Sequence, residues 1–380
     1  MEYSKFHLLL HRQTIDIKMQ QFRSKKDFSG SILWMGLILL LTACNSLFMD
    51  EQKPNTPQNN FDLLWQIIDE RYCYFEEKGV NWNQMRQKYW RELQKSGNDT
   101  DQTHRLELQS SGDVPDPLSA QLFYTMATML EELRDGHVTL DDGYTSCTYT
   151  GWHTPYPDNF IPTRINTYKN NRTRYLNNET FFSTLPENIG YIRCSSFSDK
   201  FNRDEFDKAL AKFEGLKGVI IDVRSNGGGL VSEAYMFASR FAREKTHVGY
   251  VRYKIGKGHK DFSDYFARYV EPDGANPFHG KVVVITNRKV YSAANLFVSF
   301  MSCFPQVCIM GDNTGGGGGV PISAELYNGW TVKLSTNPVF DINKRSIESG
   351  IAPDYSVELN TKETQKDNII ETAKTWILAK

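Results

Sequence analysis

Two short apolar runs constrain this chain more than any bulk property does. Gly218-Val-Ile-Ile-Asp-Val223 and Lys281-Val-Val-Val-Ile-Thr-Asn287 each lead through a turn into a helix-length apolar segment. Unbroken apolar strands of this kind are buried on both faces, as parallel strands are. The pattern recurs around them. Gly190–Cys194, His247–Lys254 and Cys308–Gly311 read as strands, and Phe206–Phe213 and Leu230–Phe241 as helices. Alternation of strand and helix predicts a layered α/β core with parallel strands.

The turns after the two runs carry the chemistry. The second run enters Arg288-Lys-Val-Tyr-Ser292-Ala-Ala-Asn295, which puts Ser292 at the first turn of a helix. Backbone N–H groups point outward there and the dipole favours developing negative charge, as a serine nucleophile requires. Serine is equally a preferred helix N-cap, so the position alone fits either role. The first run enters Asp222-Val-Arg-Ser-Asn-Gly-Gly-Gly229. Three glycines let the backbone approach a ligand and aim N–H groups at one point, as an oxyanion hole needs. A phosphate loop would end in a Lys-Ser/Thr pair that is absent here, and a plain turn is the other reading. Leu133-Arg-Asp-Gly-His137 joins a helix to a strand. An imidazole there can be a general base or a structural group. Glu348 offers a carboxylate beside the turn Gly350-Ile-Ala-Pro-Asp354, and Gly315–Gly319 is either a linker or a loop lining a cleft.

Bulk composition sets wider bounds. The 380 residues are 40% hydrophobic and 23% charged, with net charge −1. That is enough for a sizeable core in one or two domains, and it gives no support to nucleic-acid binding. Arg23, Lys25 and Lys26 precede the apolar run Ile32–Leu41 and the small residues before Cys44. This is a secretory signal, too short for the roughly 20 residues that cross a bilayer. Leu41-Thr-Ala-Cys44 resembles a bacterial lipobox, in which Cys44 becomes the lipidated first residue. A polar stretch with Pro54 and Pro57 then reads as a flexible tether. Helices are expected at Phe61–Tyr72, Trp82–Leu93 and Leu118–Leu133, with a loop over 97–115. Cys73, Cys147, Cys194, Cys303 and Cys308 do not make a disulfide framework, although Cys303 and Cys308 are close enough in sequence to pair. With no C-x-x-C or H-E-x-x-H motif, neither a metal site nor another cofactor is expected.

Taken in order, these segments resemble the tail-specific (C-terminal processing) serine peptidases, in their tricorn-like and retinoid-binding-protein-like branch. The matching pieces are Phe61-Asp-Leu-Leu-Trp65 with Tyr72 and Phe75, Asp135-Gly-His-Val138, Gly190-Tyr-Ile, Asp222–Gly229, Ser292-Ala-Ala, Gly311–Gly316 and Gly350–Asp354. The resemblance implies a crotonase-like (ClpP/crotonase) α/β core of stacked βαβ units. It divides the chain into a lipoprotein signal (1–43), a tether (44–59), an N-terminal helical subdomain (60–135), a short linker or cap (136–188), the core (189–360) and a C-terminal helix (361–380). About 50 residues separate the Asp-Gly-His segment from the Gly-Tyr-Ile strand. That is too few for the PDZ domain many members insert there.

The resemblance also implies roles. Ser292 attacks the peptide carbonyl, while the Ala293 N–H and that of Gly227 or Gly228 hold the oxyanion. Processing-protease members activate the serine with a lysine, but the matching residue here is Asn313, which cannot accept a proton. Tricorn-like members use a histidine at the position of His137, supported by a glutamate at the position of Glu348 through a serine hydroxyl. In this chain that serine is Gly136, leaving a water or Ser349 as the bridge, and Lys289 is a remote substitute base. The family's frequent glutamate three residues after the nucleophile is Asn295. The expected function is a lipid-anchored serine endopeptidase of the bacterial envelope acting on exported polypeptides. The alternatives are a catalytically silent ligand- or protein-binding protein on the same fold, and an acyl-transfer or thioester enzyme of crotonase type.

Overall fold

Four helices open the fold, α1 Pro57–Arg71, α2 Phe75–Lys78, α3 Trp82–Ser96 and α4 Pro117–Glu131. The computed structural model describes residues 53–96, 117–274 and 277–379. The signal segment, Cys44, the first part of the tether and the 97–115 loop lie outside the described residues. The tether expectation runs too far, because the chain is helical from Pro57. The Thr56 side chain accepts the Asn59 N–H at 3.2 Å, and Pro57 occupies the first turn, where its missing N–H costs nothing.

The remaining elements are β1 Thr139–Asp141, β2 Ser146–Thr148, a 3-10 helix Pro162–Tyr168, β3 Arg174–Tyr175, β4 Thr180–Leu185, β5 Ile189–Cys194, α5 Arg203–Ala211, β6 Gly218–Asp222, α6 Val231–Ser239, β7 Thr246–Val251, β8 Phe266–Val270, β9 Lys281–Thr286, α7 Ala293–Met301, β10 Val307–Gly311, β11 Gly319–Glu325, β12 Thr331–Phe340, β13 Tyr355–Ser356 and α8 Asn368–Leu378. They form two sheets. The first runs β13-β10-β9-β6-β5-β4-β3, parallel from β13 to β5 and antiparallel at β4 and β3. Side chains alternate across it, as strand geometry requires. Val219, Ile221, Val282 and Val284 pack under α5, α6 and α7, with Phe206, Phe237 and Phe297. Ile220, Val283 and Ile285 face the other way, onto the 3-10 helix and α8.

The second sheet runs β2-β1-β12-β7-β8 with β11 also on β12, and every pairing in it is antiparallel. The N-terminal helices pack here. Phe61, Leu64, Trp82 and Leu130 share one core with Leu326, Val332 and Leu334. The helical region therefore closes its core only with strands from far along the chain, and residues from Asn55 onward make one compact unit. Residues 136–188 are more than a linker. β4 pairs with β5 along its full length and is almost wholly buried. Among the described residues this stretch holds no domain of its own. The Cys303–Cys308 pairing does not form, and all five described cysteines are free.

Beneath the Asp222–Gly229 turn lies a buried ionic knot. The fully buried Arg224 forks onto Asp222 at 2.7 and 3.0 Å, and reaches Asp367 at 2.8 Å and the Asn159 carbonyl at 3.1 Å. Asp367 also caps α8 by accepting the Ile369 and Ile370 N–H groups. Arg193 donates to the carbonyls of Asp222 and Arg224 at 2.9 and 2.7 Å. Burial alone would raise the Asp222 carboxyl, but the Arg224 and Arg193 charges outweigh it and hold it below its ordinary value. Its stabilising contribution is thus complete above about pH 4 and is lost as the pH falls through its lower folded value. Removing one partner of a buried ion pair typically costs about 3–5 kcal/mol. Arg224→Ala should lose stability on that scale, read as a lower urea midpoint, because two carboxylates are left buried without their cation.

Candidate active site

A helix cap and a nucleophile differ in where the serine hydroxyl points. Ser292 has φ 56° and ψ −123°, and its side chain makes no capping bond to α7. This left-handed backbone costs on the order of 1–3 kcal/mol in a non-glycine residue and persists only where its surroundings enforce it. Two neighbouring loops enforce it here. The Ser292 N–H donates to the Gly316 carbonyl at 2.9 Å, and the Tyr291 N–H to the Asn226 carbonyl at 3.0 Å. The hydroxyl is turned away from the helix, with Oγ 2.8 Å from His137 Nε2.

The triple-glycine turn lies against the same hydroxyl. Gly228 has φ 103°, and a Cβ there would sit 2.9 Å from both the Ala293 nitrogen and Ser292 Cβ. Only a glycine allows this approach. The Gly228 N–H, expected as one possible oxyanion donor, instead donates to Asn226 Oδ1 at 2.9 Å. The Gly227 and Ala293 N–H groups have no hydrogen-bond partner among the described residues. Nothing lies within 4 Å of a Cβ built on Gly227, so that residue borders open space.

His137 is 5% exposed and sits in a tight turn, where the Val138 N–H donates to the Asp135 carbonyl at 3.1 Å. Burial pushes the imidazole down to about 4, against the upward pull of the Asp135 carboxylate. The ring is therefore neutral at pH 7, and Nε2 can accept a proton. Glu348 is 4% exposed, and both its oxygens are engaged elsewhere. Oε1 pairs with Lys78 at 2.9 Å, and Oε2 accepts the Gly318 N–H at 2.9 Å. Burial, and behind it the Asp135 charge, push its carboxyl up to about 8. Glu348 makes no hydrogen bond to His137, directly or through Ser349. Lys289 is committed to Asp158 at 2.8 Å. The Asn313 N–H donates to Asp312 Oδ1, and Asn295 ties α7 to the Ile347 carbonyl and to Thr314.

Three residues went unassigned in the sequence, namely Lys78, Trp152 and Tyr291. Tyr291 stacks on Trp152 with centroids 4.1 Å apart, and its ring lies 5.0 Å from that of His137. A Cβ on Gly136 would meet Trp152 Nε1 at 2.5 Å and the Tyr291 hydroxyl at 2.9 Å. The space over Gly136 is thus filled by the Trp152 indole and the Tyr291 hydroxyl, both from other segments. The five glycines are a packed wall. Gly316 has φ 91°, and a side chain there would collide with the Glu348 carbonyl, while one on Gly317 would meet the Tyr291 ring. A cavity of about 170 Å³ opens beside them, bordered by Lys78, Arg134, Trp152, Tyr291 and Glu348. A larger one of about 400 Å³, between β4 and α5, holds none of these groups.

The profile of Peptidase family S41 matches residues 188–357, and that of the Tricorn protease C1 domain matches residues 54–102. A solved chain from Parabacteroides merdae, described as a candidate peptidase, is 36% identical with a TM-score of 0.74; the match covers 86% of this chain and 98% of that one. The chain belongs to peptidase family S41. Among curated S41 relatives, the carboxy-terminal processing protease CtpA of Bacillus subtilis is 29% identical over 185 residues, covering 48% of this chain and 38% of the relative. The tail-specific protease of Haemophilus influenzae is 30% identical over 153 residues, 39% of this chain and 20% of the relative. The chain thus matches less than two fifths of the length of either.

The packing against Gly136 gives a direct test. Gly136→Ser should lower the melting temperature through overpacking worth about 1–3 kcal/mol. Adding Tyr291→Phe should recover part of that loss.

Proposed function

We propose that this S41 member is a serine peptidase that cleaves polypeptides through an acyl-enzyme. Ser292 Oγ attacks the carbonyl carbon as its proton passes to His137 Nε2. The carbonyl oxygen gains the displaced electron pair and is held by the Gly227 and Ala293 N–H groups. The protonated imidazole then gives its proton to the leaving amine, and water repeats the sequence to free the acid. The single observation that carries this reading is the 2.8 Å contact between Nε2 and a hydroxyl turned away from its own helix. That distance lies within reach for proton transfer. Each oxyanion donor is typically worth about 2.7–4 kcal/mol of barrier. Asn313 and the committed Lys289 argue against a lysine base, and Glu348 braces the site through Lys78 and Gly318.

For the N-terminus we infer lipid attachment at Cys44 and a place at the bacterial envelope, on the exported-protein signal of residues 1–43. The names of the two curated relatives agree with a processing role on polypeptides. In a strain that exports the chain, labelled palmitate should be incorporated, and Cys44→Ala should abolish that labelling.

A fluorophosphonate probe should label Ser292, and labelling should vanish in Ser292→Ala. A folded protein that takes no label would instead favour a silent binding protein. His137→Ala should lose turnover, while Lys289→Ala should keep it. Because a histidine acts as base only when unprotonated, kcat/KM should hold steady below neutrality. It should fall as the pH drops through about 4 rather than through the usual 6.5.

A further inference from the structure

We propose that Asp135, held in place by the Tyr291 hydroxyl, is the carboxylate that orients His137 and stabilises the imidazolium formed during turnover. The proposal rests on His137 being the base. It concerns the question that the family pattern leaves open once Gly136 replaces the bridging serine.

The tautomer of His137 sets the requirement. A neutral imidazole that accepts the Ser292 proton at Nε2 carries its own proton on Nδ1, and a buried N–H needs an acceptor. His137 Nδ1 is buried and has no partner among the described residues. Two carboxylates lie near. Both oxygens of Glu348 are taken, by Lys78 and by the Gly318 amide. Asp135 is different. Its Oδ1 accepts the His137 backbone N–H at 2.7 Å, and its Oδ2 is a buried acceptor with no partner. Nδ1 is thus an unmatched donor and Oδ2 an unmatched acceptor, two residues apart in a single turn, and the unpartnered hydroxyls of Tyr72 and Tyr74 lie within the field of the same carboxylate. Leaving Nδ1 and Oδ2 unmatched would cost about 1–3 kcal/mol each.

Local geometry places both groups in one turn. Asp135 opens the turn closed by the Val138 N–H, and its side chain folds back over the turn to accept the N–H two residues on. Aspartate favours that position for this reason. The Tyr291 hydroxyl lies 3.5 Å from Oδ1, on the side where Gly136 leaves room for it. Tyr291 and the His137 amide therefore both hold Oδ1, which leaves Oδ2 for the ring. Oδ2 and Nδ1 are not yet hydrogen-bonded to each other. A modest rotation of the carboxyl, or one bridging water, joins them, and such contacts commonly tighten only when substrate is bound. The Asp135 charge already favours the protonated ring against burial. Asp135 takes up no proton in this scheme. The proton moves from Ser292 Oγ to Nε2 and on to the leaving amine, while Nδ1–H stays in place facing Oδ2.

Asp135→Asn is the test, because the amide oxygen can still accept the His137 N–H and keep the turn. The expected result is a loss of kcat/KM of at least about 100-fold, carried by kcat with little change in KM. Wrong-tautomer substitutions in serine hydrolases reach about 10⁴-fold. In 15N-histidine NMR spectra the downfield Nδ1–H resonance of His137 should be present in the wild type, lost in Asp135→Asn and retained in Glu348→Gln. Loss of the resonance in Glu348→Gln, with its retention in Asp135→Asn, would overturn the proposal. A readout on the unmodified protein guards against misfolding of the variant. The resonance should hold its position through pH 8, where Glu348 titrates. A shift in step with that titration would make Glu348 the partner. Fluorophosphonate labelling that survives His137→Ala would instead mean that the base itself is wrong, a separate failure.

Discussion

Parallel pairing of β6 with β9 sets Asp222 beside Ile285, so both strands end on the same edge of the sheet. Everything chemical in this molecule follows from what the chain does after those two ends. Ligands of open parallel sheets gather outside the carboxyl ends of the strands for this geometric reason. Here the two outgoing loops are laced together. The Asn226 carbonyl takes the Tyr291 N–H, Asn287 Oδ1 takes the Ser225 N–H at 2.8 Å, and Gly228 lies against Ser292. The Arg224 knot locks the first loop from below. Burying such charges costs several kcal/mol per ion, and only complete pairing offsets it. Asp222, Asp367 and the Asn159 carbonyl supply that pairing. The Gly227 and Ala293 amides are therefore left unpartnered in a fixed frame before any ligand arrives, as the proposed stabilisation of a short-lived anion requires.

Burial then sets the terms for the imidazole. The fall from 6.5 to about 4 corresponds to roughly 3 kcal/mol against the charged ring. In its proposed role as base, an imidazole that disfavours its own protonated form needs a nearby anion when the proton arrives. In surroundings of low polarity such an anion counts for more than it would in water. Glu348 is already engaged by Lys78 and the Gly318 amide, and its carboxyl, raised by burial and then by Asp135, reflects how poorly the pocket tolerates a second anion beside Asp135. The same crowding is felt by Tyr72 and Tyr74, whose buried phenols are pushed well above their ordinary range, first by burial and then by neighbouring ionisable groups that include both carboxylates.

The parallel core was legible because its strands are uninterrupted. Between their ends, Gly218–Asp222 and Lys281–Thr286 hold only valine and isoleucine. β4, β11 and β12 were not read, because threonine, serine and proline break their apolar pattern even where they are buried. The cap and nucleophile readings of Ser292 could not be separated in sequence, since both put serine at one position. Only the backbone angles and the direction of Oγ distinguish them. Order along the chain did bring His137, Ser292 and the glycine turn to one point. It could not show that the Gly228 amide is occupied, that Glu348 faces Lys78, or that Tyr291 fills the space above Gly136. The first depends on the rotamer of Asn226 two residues away, and the other two on contacts between segments more than 100 residues apart, for which a single sequence carries no local signal.

The Gly136–Tyr291 exchange changes how the site is coupled. A hydroxyl on the residue before the histidine would belong to the base's own turn. Delivered by Tyr291, it belongs to the residue before the strained serine. A displacement of the serine turn therefore moves the group that touches Asp135, and the two halves of the site shift together. Trp152 extends the coupling, because it stacks on Tyr291 and lies over Gly136 and Gly315. Trp152 comes from the stretch between His137 and β5. In this chain that stretch supplies a wall of the site itself. The glycines at 136 and 315–317 leave that wall its space, so a side chain added at any of them presses on the tyrosine, the tryptophan or the Glu348 backbone.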